Sequence, residues 1–180
     1  MPPDPDIRFM PVTAADLPVL RAWLESPHMR EWWGDADTEL GYISDMLEGR
    51  DTTRPFIFHV DGERLGYIQY WIIGDAIAAG FQDKEPWLAD LPAEAIGVDL
   101  SIGDPARLSK GVGTAVLTAF LRRLAGEGFQ TIIIDPDEAN GRAVRAYEKA
   151  GFVAYDRHID KDGVTLLMRL PPERIEELKK

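Results

Sequence analysis

Four pieces of the stretch 98–152 decide how this chain folds: V-D-L-S-I (98–102), R-L-S-K-G-V-G-T (107–114), I-I-I-D-P (132–136) and N-G-R-A-V-R-A-Y-E-K-A-G-F (140–152). They read as a strand, a glycine turn opening a helix, a second strand, and a second helix stopped by Gly151. Glycines at 111 and 113 let backbone approach an anion closely, and the helix start adds N–H groups and positive potential. Asn140 and Tyr147 are about two helical turns apart, so both lie on one face of the second helix. Together these features suit a phosphate-bearing ligand with a proton donor beside it.

Working outward, Ile7–Met10 alternates like a short strand. Thr13 and Asp16 then open an amphipathic helix through Leu17, Leu20 and Leu24, which Pro27 ends. A second helix is expected over Glu39–Leu47, closed by Gly49. Phe56–Val60 and Gly66–Ile73 read as a hairpin about the turn Asp61-Gly62. Residues 74–93 are irregular and acidic, with Asp83, Glu85 and Asp90 around Trp87, and the stretch reads as an acidic lid or, nearly as well, as a solvated loop. Strands follow at Ala95–Ile102, Gln130–Asp135, Phe152–His158 and Val164–Leu170, with helices at Gly111–Ala125 and Asn140–Ala150. No repeat or linker divides residues 1–180, so one domain is expected, with 1–6 and 171–180 as loose termini.

Composition narrows the function. The net charge of −11 argues against a nucleic-acid partner, because phosphate binding needs clustered lysine and arginine, and it is compatible with a cationic ligand. With no cysteine there is no disulfide, thiolate metal site or cysteine nucleophile. His28, His59 and His158 are scattered without ligand spacing, so no metal is expected. No apolar run suits a membrane span, and a cytoplasmic protein is the default expectation, as monomer or homodimer.

The glycine turn excludes two nucleotide motifs. The dinucleotide fingerprint needs a third glycine where Val116 stands, and the Walker A loop needs Lys-Ser/Thr after its last glycine, whereas Lys110 precedes the turn. Alone, the turn is also explained as a tight loop entering a helix, Asn140 as an N-cap, and Tyr147 as a core aromatic.

The turn L-S-K-G-V-G-T followed by N-G-R-A-V-R-A-Y-E-K-A-G-F resembles the GNAT superfamily of acetyl-CoA-dependent N-acetyltransferases. That resemblance implies an α/β (α+β mixed) fold with a central, splayed, mostly antiparallel sheet of six to seven strands flanked by about four helices. It implies acetyl-CoA between the strand carrying Asp99 and the strand ending at Asp135. The pyrophosphate would rest on backbone N–H groups of Leu108, Ser109, Lys110, Gly111, Val112, Gly113 and Thr114, with Asn140 touching the cofactor. The superfamily usually carries Gln or Arg where Leu108 stands, and Arg107 is not a substitute. W-L-E-S-P-H-M-R-E-W-W-G (23–34), G-Y-I-Q-Y (66–70) and the pieces quoted above are similar to aminoglycoside 6′-N-acetyltransferases, and more distantly to acyltransferases acting on hydroxylysine-type siderophore precursors. The siderophore-type enzymes tend to use histidine near Asp99, which tilts the reading towards an amine. A non-catalytic acyl-CoA-binding protein is the alternative outside enzymes.

An alkyl ammonium must lose a proton before it attacks a thioester. With the resemblance, Asp99 is the candidate base, its alternative being a structural cap or pair. Tyr147 is the candidate donor to the leaving thiolate, and a strand N–H near Leu100 or Ile102 would polarise the thioester carbonyl. Direct transfer, without a covalent enzyme intermediate, is expected. Asp135 would hold a second ammonium or cap its loop. Trp32 and Trp33 would wall a sugar pocket, at least one of them being core. Gln69 and Tyr70 face opposite sides of their strand, so at most one lines the site.

Overall fold

The computed structural model describes residues 4–180. The first three residues of the expected loose leader lie outside the described residues. Asp6 at its end is tied down: its amide donates to Asp61 Oδ1 at 3.0 Å and its carbonyl accepts from the Asp61 amide at 2.9 Å.

Seven strands form one sheet in the order β1-β2-β3-β4-β5-β7-β6. They are β1 (Ile7–Pro11), β2 (Arg54–Val60), β3 (Glu63–Ile72), β4 (Ile96–Ile102), β5 (Ile132–Ile134), β6 (Val153–Ile159) and β7 (Val164–Arg169). β1 runs antiparallel to β2, β7 runs antiparallel to both β5 and β6, and β4 runs parallel to β5, with Ile96 beside Ile132. Asp61 and Gly62 join β2 to β3 with φ of 51° and 83°, the left-handed pair that a two-residue hairpin turn requires.

Seven α-helices complete the mixed α/β fold: α1 (Leu17–Leu24), α2 (Pro27–Trp33), α3 (Ala36–Leu47), α4 (Ile73–Ala78), α5 (Val112–Gly126), α6 (Gly141–Ala150) and α7 (Pro172–Leu178). The four longest, α1, α3, α5 and α6, are those visible in the sequence. Pro27 does end the first helix, and it also begins α2 at a position where a proline lacks no needed hydrogen bond. α3 starts at Ala36 rather than Glu39, because the Asp35 side chain caps it by accepting from the Thr38 amide at 2.9 Å. The irregular stretch 74–93 holds α4 and 3-10 turns at Phe81–Asp83 and Pro86–Asp90. Residues 171–180 are not a loose terminus. Ile175 and Leu178 of α7 are 1% and 4% exposed, and burial of that apolar pair holds the helix despite its charged outer face.

The chain divides into two compact units. The first comprises the described residues up to Gln69 with Leu100–Val116, and the second Tyr70–Asp99 with Leu117–Lys180. The boundaries fall inside β3, β4 and α5, which is why no linker marks them in the sequence. In the first unit, Leu20, Leu24, Met29, Leu40, Ile43, Ile57 and Tyr67 share one apolar core. In the second, Ile73, Trp87, Leu88, Ala95, Ile133 and Leu167 share another.

Candidate active site

The first unit carries the glycine turn. Asp104 caps a 3-10 turn over Pro105–Arg107 by accepting from the Ala106 amide at 2.8 Å. Leu108 N–H closes that turn on Pro105 O at 3.2 Å, so as a set of donors the cradle begins after Leu108. Arg107 forms an ion pair with Glu63 and is not turned into a replacement for the absent polar side chain at 108. Ser109 and Gly111 both lie in the left-handed region, with φ of 60° and 79°. Glycine adopts that geometry freely. For serine it costs energy, and a strained residue beside a helix start is what an anion-binding loop of turned-in amides requires.

The first hydrogen bond of α5 runs from Ala115 N–H to Gly111 O at 3.0 Å, leaving the amides of Val112 and Gly113 ahead of it at the positive end of a 15-residue helix. A Cβ added at Gly111 would meet nothing within 4 Å, and one at Gly113 would sit 3.6 Å from Ile102 Cδ1 and 3.8 Å from Leu100 Cδ2. Neither glycine is thus demanded by packing against protein. Open space over a turn of this geometry fits the diphosphate of a nucleotide-bearing cofactor.

The second unit carries the titratable groups. Asp99 lies in the apolar run of β4, and Asp135 directly follows the buried β5. Asp135 keeps some accessible surface yet is surrounded by protein. Burial, then the charges of Asp99 and of Glu85, hold its carboxyl well above the usual carboxylate range. Glu85 is fixed by the indole N–H of Trp87, which donates to its Oε2 at 2.5 Å. Tyr147 is 8% exposed on α6. Burial, then Asp99 and Asp135, push its phenol above its ordinary value, so it keeps its proton throughout the neutral range. The structure thereby brings Asp99, Asp135 and Tyr147 into one electrostatic group and adds Glu85 from the acidic stretch.

Other expected residues take more structural places. The Asn140 side chain caps α6 by accepting from the Ala143 amide at 3.2 Å, which leaves its NH2 end as the part able to serve a cofactor. Trp33 packs edge-on to Tyr67, with ring centroids 5.9 Å apart, and belongs to the core of the first unit. Trp32 is half-buried. Gln69 Oε1 accepts from Tyr67 O–H at 2.5 Å, while Tyr70 packs its ring against Phe129 at 5.5 Å. Among the described residues no three His, Asp or Glu side chains gather as a metal-binding group.

Tyr155 carries no signal in the sequence. Burial and the charges of Asp135, Asp156 and Asp90 raise its pKa against the pull of Arg169, whose guanidinium lies 5.3 Å from the ring centre. Only the fold of β6 reveals that it responds to Asp135.

The glycine turn with left-handed Ser109 and Gly111 at a helix start, and separately the buried tyrosine with its two aspartates, are each of a kind that suits an acyl-CoA-dependent transferase. Residues 12–160 match the acetyltransferase (GNAT) domain, and the chain belongs to that family. The chain is 32% identical over 165 residues to the aminoglycoside N(6′)-acetyltransferase type 1 of Klebsiella pneumoniae, covering 87% of this chain and 79% of the relative. The solved structure of AAC(6′)-Ib with paromomycin and acetyl-CoA superposes with a TM-score of 0.82 at 26% identity, covering 97% of this chain and 98% of that one. AAC(6′)-Ib with coenzyme A and kanamycin gives 0.80 at 25% identity, covering 97% of this chain and all of that one (100%).

Proposed function

We propose that the protein transfers an acetyl group from acetyl-CoA to a primary amine of a cationic small molecule, the 6′-amine of an aminoglycoside being the acceptor best supported. The observation that carries this reading is the grouping of Asp99 and Asp135 with a buried tyrosine, with Glu85 adding its charge at Asp135. Like charges held together in partly desolvated surroundings repel, and a polyammonium ligand relieves that repulsion on entering. The aminoglycosides bound by the AAC(6′)-Ib structures are ligands of that kind.

Acetyl-CoA, when bound, supplies an activated thioester. Ser109 to Thr114 hold its diphosphate through turned-in amides, and the Asn140 amide adds a side-chain contact. Asp99 takes the proton of the acceptor ammonium, directly or through water, so that the amine can attack. Asp135 and Glu85 hold a second ammonium, which also orients the first. Tyr147 O–H would supply the proton that the leaving thiolate needs. An N–H of Leu100 or Ile102 would serve as donor to the thioester oxygen as charge develops there. Trp32 and Gln69 offer a ring face and an amide to a sugar. With the acid, base and donors all present, no covalent enzyme intermediate is needed.

Thiol release from acetyl-CoA tests the reading with kanamycin-type sugars, hydroxylysine and no acceptor in parallel. Release with the aminoglycoside alone is the expected result. Release with hydroxylysine alone would move the assignment to siderophore precursors, and CoA binding without turnover on any amine would leave an acyl-CoA-binding protein.

A further inference from the structure

The N-terminal motif S-P-H-M-R-E-W-W contributes a side chain that the chemistry above leaves unused. His28 Nε2 lies 2.8 Å from the carbonyl oxygen of Ile102, 74 residues away, at the end of β4. A carbonyl can only accept, so Nε2 carries the proton and donates. The other ring nitrogen, Nδ1, then accepts, and lies 3.1 Å from Ser26 Oγ, whose one hydroxyl proton is shared between Nδ1 and Trp23 O, the latter at 2.5 Å. The imidazole is thus anchored on the α1–α2 junction and aimed at the strand end.

Two further contacts hold the same point. Gly103 N–H donates to Leu65 O at 2.8 Å. The Trp23 indole lies so close over Gly103 that an added Cβ would stand 2.2 Å from Trp23 Cε2. The Ile102 side chain reaches the first turn of α5, as its spacing from Gly113 shows. The end of β4 is therefore fixed from three sides, and only one of the three holds is a polar side chain from another element.

We propose that His28 is a positioning residue for acetyl transfer. By holding Ile102 O it fixes the plane of the strand-end peptides, and with them the N–H groups that address the thioester oxygen. This rests on the acetyltransferase reading. Misplacing a reacting group by about 1 Å can cost on the order of 100-fold in rate, so loss of one such hold is visible in turnover.

The test compares His28→Ala with His28→Gln, whose side-chain amide can still donate near the position of Nε2. For His28→Ala the expected result is a kcat lowered by about 10- to 100-fold and a raised KM for acetyl-CoA, with the acceptor KM within about twofold. His28→Gln should recover kcat to within about threefold of the parent. Hydrogen exchange at the Gly103 amide should quicken in the alanine variant and stay near parental in the glutamine variant.

An alanine variant with parental kcat overturns the proposal. So does a glutamine variant as impaired as alanine, or an acceptor KM that moves as far as that of acetyl-CoA. If His28→Ala does not fold, Ser26→Ala, which removes the Nδ1 partner, takes its place with the same criteria and a smaller expected loss. A parent without turnover on any amine defeats the acetyltransferase reading alone, and exchange at Gly103 then decides whether His28 holds the strand end.

Discussion

On the proposed reading, the glycine turn of the first unit and the carboxylate group of the second would serve ligands by opposite means. The turn works through main chain, and its preparation is conformational, with Ser109 and Gly111 held in left-handed geometry ahead of α5. The second group works through side chains, and its preparation is electrostatic. Asp135 is kept from ionising at its ordinary pH by burial, then by Asp99 and Glu85, and Tyr147 is kept protonated by burial and the same two aspartates. A backbone site tolerates change in its side chains, which is how Leu108 can occupy a place where the family usually has Gln or Arg. A side-chain site does not, so substitutions should separate the two.

The sharpest separation is expected from Asp99→Asn. Loss of the base should lower kcat by about 10²- to 10⁴-fold, the range of general acid–base contributions. CoA affinity, set by the turn, should stay close to parental in calorimetry. A parental kcat would remove Asp99 from the mechanism, and a matching loss of CoA affinity would erase the contrast between the two regions. Tyr147→Phe should come next, at about 10²-fold in kcat, since water can partly replace a proton donor to a thiolate. Its loss should be smallest with an acyl thioester whose leaving thiol is more acidic.

The turn is probed by Gly113→Ala. Gly113 is not among the residues with positive φ, and an added Cβ makes only ordinary contacts with Ile102 and Leu100. Stability should therefore hold, or rise slightly through lost freedom in the unfolded chain. If the turn approaches a diphosphate closely, the same methyl group should weaken CoA by roughly tenfold, about 1.4 kcal/mol. Unchanged CoA affinity would mean that the glycine serves only the entry into the helix.

The same contrast explains what was legible in the sequence. The turn, the caps at Asn140 and Gly151, and the apolar runs of β4 and β5 are local patterns, and the fold follows from their order. α2 was hidden because Pro27 reads equally as a stop and as a first helical residue, and the tail 171–180 reads as loose because its charges mask the pair Ile175 and Leu178. The roles given to Asp99 and Tyr147 rest on the resemblance. The link from Asp135 to Glu85 and Tyr155, like the hold of His28 on Ile102, depends on interactions between residues far apart in the sequence, which no local pattern announces. Trp33 shows the opposite limit. A residue beside charged neighbours invites a binding role, yet its ring is spent on Tyr67.

Asp135→Asn should have the smallest effect on kcat among these changes, but the sign of its effect on stability is diagnostic. A carboxylate whose folded pKa lies above its unfolded one binds more protons in the folded state over the interval between the two. Stability then falls as pH rises through that interval, and the cost is complete above the folded pKa. Asparagine removes the ionisation and with it the cost. The variant should melt at a temperature higher than the parent by a few degrees at pH 8, and the difference should shrink as pH falls toward the ordinary aspartate range. Activity should move the other way, with a raised KM for a polyamine acceptor and little change for a monoamine. Added aminoglycoside should narrow the gap in melting temperature at pH 8, because a bound polycation offsets the same repulsion in the parent that asparagine abolishes. A variant less stable than the parent at pH 8 would show that Asp135 is a structural cap, and the second unit would lose its claim to an electrostatically prepared site.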